Sequence, residues 1–174
     1  MQRRFYTLVL LLLCTLAGPS VLKAQTPTEF NDKLVAITEG LYSKGQEWGK
    51  QFNAAYEAKD FTSLTNKRQQ LEQFVTQKLA EVKAMKDVKD SKTLREAMVN
   101  FLEFEKGMID RAFKPMESLG KNPSQEQVKA AYDQLTTYSK EEQVALERVN
   151  KAQEAYAKAN GFTIAQPELV EEAK

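Results

Sequence analysis

The sequence predicts an all-α protein, an antiparallel up-down-up-down four-helix bundle that follows an N-terminal signal peptide. Four long segments repeat apolar residues every three or four positions, and no segment shows the period-two alternation of a β-strand. Each connection between the four segments is only a few residues long, so consecutive helices should run antiparallel and pack as neighbours. We expect residues 1–24 to be the signal peptide, residues 25–162 the bundle, and residues 163–174 a flexible C-terminal tail.

The N-terminal segment has the three parts of a secretory signal. Arg3 and Arg4 supply the positive charge at the start, and residues 6–17 form an apolar stretch of the usual length. Ala24 then offers a small side chain at the expected cleavage point before Gln25. We therefore expect an exported protein whose mature chain begins at Gln25.

Two other interpretations of the N-terminal segment stay open. A retained membrane anchor would need about 20 apolar residues, and this apolar stretch is shorter and ends at Gly18-Pro19. Lipid modification of Cys14 would need a small residue directly before the cysteine, whereas Leu13 is large. We expect no stable transmembrane span after cleavage.

The first two helices are delimited by capping residues. The first should begin between Pro27 and Glu29 and end near Asp60. The second should open at Asp60 or Thr62, whose side-chain oxygens can accept from an unpaired helix N–H. It should end in the lysine-rich segment 83–89, because cations favour the negative end of the helix dipole. We expect each of the first three helices to have close to thirty residues.

The last two helices are bounded in the same way. The third should begin after a cap at residues 90–91, and Pro115 in its last turn should kink or end it. Gly120 supplies the following stop, and residues 122–123 place a proline at the start of the fourth helix. The fourth helix should be the longest and should end at Gly161.

The composition excludes most cofactor chemistry. The 174 residues include no histidine, and the one cysteine, Cys14, lies in the predicted signal peptide. Haem, zinc and histidine-dependent two-metal sites therefore lack their usual ligands. We predict a non-enzymatic protein with no catalytic residue, no metal and no cofactor.

The charge pattern and the aromatic side chains bear on partners. Removal of residues 1–24 takes away three of the 25 basic side chains and leaves 24 acidic ones, a net charge of −2. Because both signs are interspersed, no basic patch is available for a phosphate backbone, and we expect no nucleic-acid partner. Phe61, Phe74, Phe104 and Phe113 lie just off the apolar stripes and should mostly widen the buried face. An exposed subset of aromatic residues would form a patch for a protein or cell-envelope partner, which we expect to be the means of action.

A polar residue inside an apolar stripe suggests a candidate ligand site. Glu105 interrupts the stripe of the third helix and should lie near the level of Gly45 and Tyr138. Trp48 lies between Gly45 and Gly49, each of which costs about 1 kcal/mol of helix stability relative to alanine. One interpretation is a mid-bundle pocket in which Trp48, Glu105 and Tyr138 bind a small ligand.

The alternative interpretation is purely structural. Glu105 would then lie at the edge of its stripe and pair with a lysine of the next helix, because long charged side chains commonly extend to water. Gly45 and Gly49 would make room for the Trp48 indole or for a neighbouring helix. We favour this second interpretation.

Three segments of the predicted helices carry a family resemblance. They are Phe30-Asn31-Asp32 followed by Leu34-Val35, then Phe101-Leu102-Glu103-Phe104-Glu105-Lys106, and finally Ala152-Gln153-Glu154-Ala155-Tyr156-Ala157-Lys158 leading to Asn160 and Phe162. Together they resemble the LIC-type family of uncharacterised secreted bacterial surface proteins over nearly the whole mature chain. The resemblance implies export, a helical bundle, and a location in the periplasm or at the cell surface of a double-membraned bacterium. It assigns no role to any residue.

Overall fold

A computed structural model describes residues 25–164 of the chain. Within this range the backbone forms helices and no β-strand, so the all-α prediction is confirmed. The predicted signal peptide, residues 1–24, lies outside the described residues, as do residues 165–174 of the predicted tail. None of the helices in residues 25–164 combines the length and the apolar character that crossing a membrane requires.

Helix α1 spans Pro27–Ala58, close to the predicted bounds. Thr26 and Glu29 form a reciprocal capping box at its start, and Pro27 occupies a first-turn position where its missing N–H costs nothing. The helix ends at Lys59, which adopts the left-handed conformation with φ of 52°. The chain then enters a short 3₁₀ helix, Phe61–Leu64, where the Asp60 carboxylate accepts from the Thr62 N–H at 3.1 Å.

Helix α2 spans Thr65–Ala84 and has 20 residues, so the expectation of close to thirty is wrong for this helix. The residues before α2 form the 3₁₀ helix Phe61–Leu64. The residues after α2 form a connection that has its own hydrogen bonds. In that connection the Val88 N–H donates to the Ser91 hydroxyl, and the Asp87 carboxylate accepts from Arg95 at 2.7 Å. The helix ends within the lysine-rich segment 83–89, as predicted.

The third helical segment consists of three parts. Helix α3, Lys92–Met108, passes into a π-helical turn, Ile109–Phe113, which is followed by the short helix α4, Lys114–Glu117. The widened turn lies directly before Pro115, whose ring and missing N–H are incompatible with a regular hydrogen bond to the carbonyl four residues earlier. Gly120, with φ of 67°, then ends the segment as predicted.

Helix α5 spans Gln125–Asn160 and is the longest, as predicted. Its N-cap is Ser124, which forms a capping box with Gln127, so the helix begins just after the predicted start at residues 122–123. Gly161 closes it in the left-handed conformation with φ of 71°. Phe162 folds back and places its ring edge-on against Tyr156, with the ring centroids 5.8 Å apart.

All long helices contribute to one apolar core. Helix α2 packs against α1 and α3, and α5 packs mainly against α3. Fully buried side chains from these elements include Phe30, Ile37, Leu71, Val75, Leu102, Ile109 and Met116. The core also contains Arg68, which is 7% exposed and pairs with the carboxylates of Glu117 and Glu72. Partners of opposite charge therefore neutralise this buried arginine.

Candidate functional site

Trp48 is held in an aromatic stack in the interior. Its side chain is 5% exposed, and its indole stacks against the rings of Phe113 and Phe52, with centroids 4.2 and 5.5 Å away. The interplanar angles are 15° and 17°, so both rings stack nearly parallel to the indole. The Nε1–H is buried and has no hydrogen-bond partner within residues 25–164.

Glu105 lies inside the protein rather than at a stripe edge. It is 2% exposed and faces Glu142 of α5. Burial, followed by the charge of Glu142 and a hydrogen bond to it, raises the pKa of Glu105 to about 8. Burial also raises the pKa of Glu142, while its hydrogen bond to Glu105 acts in the opposite direction. At neutral pH, Glu105 therefore keeps its proton, and its O–H group donates a hydrogen bond to the Glu142 carboxylate.

The expected pairing of Glu105 with a lysine is wrong. Its neighbour across the helix interface is a second carboxyl group, and its Oε1 atom is buried without a hydrogen-bond partner. A buried carboxyl group that meets another carboxyl group, and no cation, remains neutral because ionisation would leave two negative charges side by side in a poorly solvated site.

Tyr138 lies on the same side of α5 as the contact with α3. Its half-buried ring meets the ring of Phe104 at a centroid distance of 6.4 Å. The guanidinium of Arg111 lies over the same ring, with Cζ 5.4 Å from the centroid. Arg111 belongs to the π-helical turn, so this cation–π contact links that turn to α5.

The three predicted pocket residues therefore have separate environments. Trp48 contacts aromatic rings of α1 and the π-helical turn, Glu105 contacts Glu142, and Tyr138 contacts Phe104 and Arg111. No hydrogen bond or ring contact among the described residues joins any two of the three. The shared mid-bundle pocket stays a prediction.

The two glycines beside Trp48 are not needed for close packing. A Cβ atom built at Gly45 or Gly49 meets no other atom within 4 Å, so neither glycine makes room for the indole or for a neighbouring helix. Gly40 differs, because a Cβ there would lie 2.7 Å from the ring of Phe74. Of these three glycines in α1, only Gly40 is required by a packed neighbour.

A groove that the sequence did not reveal lies where the end of α1 meets the start of α5. We call it the aromatic groove, and its volume is about 750 Å³. Four aromatic side chains line it together with two lysines and four other residues: Phe52, Tyr56, Phe61 and Tyr132, Lys59 and Lys129, and Asn53, Pro123, Gln125 and Val128. Tyr56 is 59% exposed and Tyr132 is 52% exposed. The groove thus presents large apolar surface to solvent.

Two backbone hydrogen bonds hold Lys59 and Phe61, which line the aromatic groove, in position. The Phe61 N–H donates to the Gly120 carbonyl at 2.9 Å, and the Asn122 N–H donates to the Lys59 carbonyl at 2.8 Å. These two bonds tie the connection after α1 to the connection before α5. Phe61 is buried, and its ring lies 6.2 Å from that of Phe52.

Phe52 connects the groove to the interior. Its ring lies 6.3 Å from Tyr132 at an angle of 25°, and it also stacks on Trp48. The aromatic contacts therefore run from the exposed Tyr132 to the buried indole. A ligand seated on Tyr132 and Phe52 would change the surroundings of Trp48, the one tryptophan of the chain.

The charged side chains of the groove are basic. Lys59 is exposed and has no ion-pair partner among the described residues. Lys129 forms an exposed pair with Asp133 on the next turn of α5, with 2.5 Å between Nζ and Oδ2. Exposed pairs of this kind contribute little and exchange readily. The groove is therefore suited to a ligand that combines apolar groups with negative charge.

A second, smaller depression lies along α5. Phe104, Glu141, Val144, Ala145 and Arg148 line it, and its volume is about 290 Å³. It contains one acidic and one basic side chain and a single aromatic ring. Its chemistry is less distinctive than that of the aromatic groove.

Comparison with known proteins and a search for metal-binding geometry assign no function to this chain. Comparison of the chain with protein-family models, curated proteins and solved structures gives no match. In residues 25–164, no group of three or more acidic, histidine or cysteine side chains has an arrangement that could hold a metal ion.

Proposed function

We propose that this protein is an exported, non-enzymatic helical bundle that acts by contact with a protein or cell-envelope partner, and that the aromatic groove is its contact surface. The observation that carries the proposal is the exposure of Tyr56 and Tyr132 beside the unpaired Lys59. Tyrosine exposes much contact area at a low entropic cost, which is why it is enriched at binding interfaces.

We infer that the helices form the up-down-up-down antiparallel bundle that the sequence predicts. Arg68, near the start of α2, pairs with Glu117 after α3, whereas Lys83, at the end of α2, pairs with Glu103 on α3. Phe30 and Phe52, from opposite ends of α1, contact Tyr156 and Tyr132, which occur in the reverse order on α5. Such reversed contacts are those of antiparallel neighbours.

The proposed location is the periplasm or the surface of a double-membraned bacterium. Its support is the basic, apolar and small-residue succession of residues 1–24 together with the family resemblance of the helices. A non-enzymatic role is supported by the composition, since the sequence outside Cys14 offers no thiol and no imidazole for catalysis.

The groove is tested by recovery of partners from native envelope extracts. The bait is protein expressed from the full sequence and purified in its processed form. Tyr132→Ala should abolish recovery of the partner, whereas Tyr42→Ala, which truncates a tyrosine on α1 that is 69% exposed and lies outside the groove, should leave it unchanged. The proposal is contradicted if both variants lose the partner equally, or if neither variant loses it.

A second candidate function is small-ligand binding near Trp48, Glu105 and Tyr138. It is favoured by two interior polar atoms without a hydrogen-bond partner, Trp48 Nε1 and Glu105 Oε1. Trp48 emission should then respond to the ligand in the wild type and not in Glu105→Ala. If no candidate ligand changes the emission of the wild type, this function is ruled out.

A further inference from the structure

We propose that the aromatic groove of one molecule binds residues 167–172 of a second copy of this chain. This acidic segment reads Pro-Glu-Leu-Val-Glu-Glu and lies outside the described residues, so the inference uses only its sequence. The inference rests on the proposed function, because it names the partner that the groove would accept.

The chemistry of the groove and of the acidic segment is complementary. Proline and aliphatic side chains bind well against aromatic-lined grooves, and the segment supplies Pro167, Leu169 and Val170. Its carboxylates, Glu168, Glu171 and Glu172, bracket the two aliphatic residues. The two basic side chains that line the groove come from different helices: Lys59 caps the end of α1, and Lys129 lies on α5.

Lys59 is the strongest element of this charge complementarity. It has no ion-pair partner among the described residues, so an incoming carboxylate displaces no existing pair. Lys129 has only its exposed pair with Asp133 to exchange. Carboxylates on either side of an apolar pair would therefore meet one cation each while Leu169 and Val170 cover the aromatic rings.

The acidic segment cannot reach the groove of its own molecule. Phe162 packs on Tyr156, which fixes the chain near that level of α5. The helix rises about 36 Å over the 24 residues from Tyr156 back to Tyr132. From Ile164 to Leu169 the chain spans at most about 18 Å when fully extended. An acidic segment that binds in the groove must therefore belong to another molecule.

The contact joins unlike surfaces of two molecules. The groove lies near the start of α5, and the acidic segment follows the end of α5 in the sequence. Such a contact either extends head to tail or closes into a dimer when two molecules exchange their acidic segments. In both cases the average mass should rise above that of the monomer as the concentration increases.

The test measures mass by sedimentation equilibrium on processed protein expressed from the full sequence. The wild type should associate with a Kd tighter than about 1 mM. Tyr132→Ala in the groove and Leu169→Asp in the acidic segment should each weaken association at least about tenfold. Tyr42→Ala and Lys33→Glu, both on exposed positions of α1 outside the groove, should associate as the wild type does.

Mixing the two defective variants gives the sharpest outcome. Tyr132→Ala retains an intact acidic segment and Leu169→Asp retains an intact groove, so an equal mixture should form one-to-one complexes that cannot extend further. Lys59→Glu should weaken association, and Glu171→Lys or Glu168→Lys on the second molecule should restore part of it. A monomeric wild type, or a mixture that stays monomeric while the wild type associates, would overturn the inference.

The proposed function can survive that result. If the wild type is monomeric yet Tyr132→Ala still loses an envelope partner, the groove binds a different protein and only the self-association is wrong. If Tyr132→Ala changes neither the mass nor partner recovery, the groove is not a contact surface and both proposals fail.

Discussion

Glu105 shows how one side chain can tie stability to pH. Glu105 keeps its proton beside the Glu142 carboxylate in the folded protein, and its raised pKa, about 8, lies well above the ordinary value of 4.5. Between these two values the folded state holds a proton that the unfolded chain has released. The stabilising contribution of this proton is fully present below pH 4.5 and is lost as the pH rises towards 8.

Glu105→Gln should remove this pH dependence. A neutral amide of nearly the same shape needs no proton, so the variant should gain stability over the wild type as the pH rises from 5 to 8, by up to about 1.4 kcal/mol per pH unit. Urea unfolding at pH 5, 6, 7 and 8 measures the difference.

Glu141→Gln on the exposed side of α5 is the matched control. Its free energy of unfolding should change with pH in the same way as that of the wild type. Comparison with the wild type is essential, because carboxyl groups with lowered pKa, such as Asp87 beside Arg95, contribute in the opposite direction. Parallel stability curves for Glu105→Gln and the wild type would show that Glu105 is not held neutral by burial.

The sequence singles out Glu105 as an unusual polar residue because it interrupts an apolar stripe, a feature visible within two helical turns. It does not predict the burial of Glu105, because a charged residue in this position is expected to lie at the stripe edge and extend to water. Its partner was not predictable, since Glu142 is 37 positions away in the sequence and is brought opposite by the packing of α3 against α5.

At the scale of elements, the capping residues explain why helix bounds could be predicted. Thr26 with Glu29 and the glycine at 161 define ends that depend on neighbouring residues alone. The start of α2 and the π-helical turn depend on more than neighbours. The 3₁₀ turn after Asp60 is joined to Gly120 by a backbone hydrogen bond from Phe61, a contact between residues 59 positions apart.

The glycines of α1 lead to a prediction about helix stability. Gly45→Ala and Gly49→Ala should each raise the free energy of unfolding by about 0.5 to 1 kcal/mol, because alanine restricts the unfolded chain and its Cβ meets no atom within 4 Å at either site. Thermal and urea unfolding measure the gain.

Gly40→Ala is the matched control for these substitutions. The added Cβ would lie 2.7 Å from Phe74, so the ring must move and the gain in helix propensity should be cancelled or reversed. If Gly45→Ala destabilises the protein as much as Gly40→Ala, then Gly45 has a packing role that the described contacts do not include.

At the scale of the whole molecule, the aromatic groove is built from parts that are distant in the sequence. Residues 52–61 supply one wall and residues 123–132 the other. Apolar periodicity predicts which face of each helix is buried. It does not predict that the seam between the two helix ends stays open and leaves Tyr132 half exposed.

We propose that the interior of the molecule supplies its stability and that the aromatic groove supplies its contact with a partner. Photocrosslinking in intact cells tests it most directly, with a photoreactive phenylalanine analogue placed at position 132 or, as the control, at position 42. We predict a discrete covalent adduct from position 132 that is absent from position 42, and mass spectrometry identifies the partner. No adduct at position 132, or the same adducts from both positions, would contradict the claim.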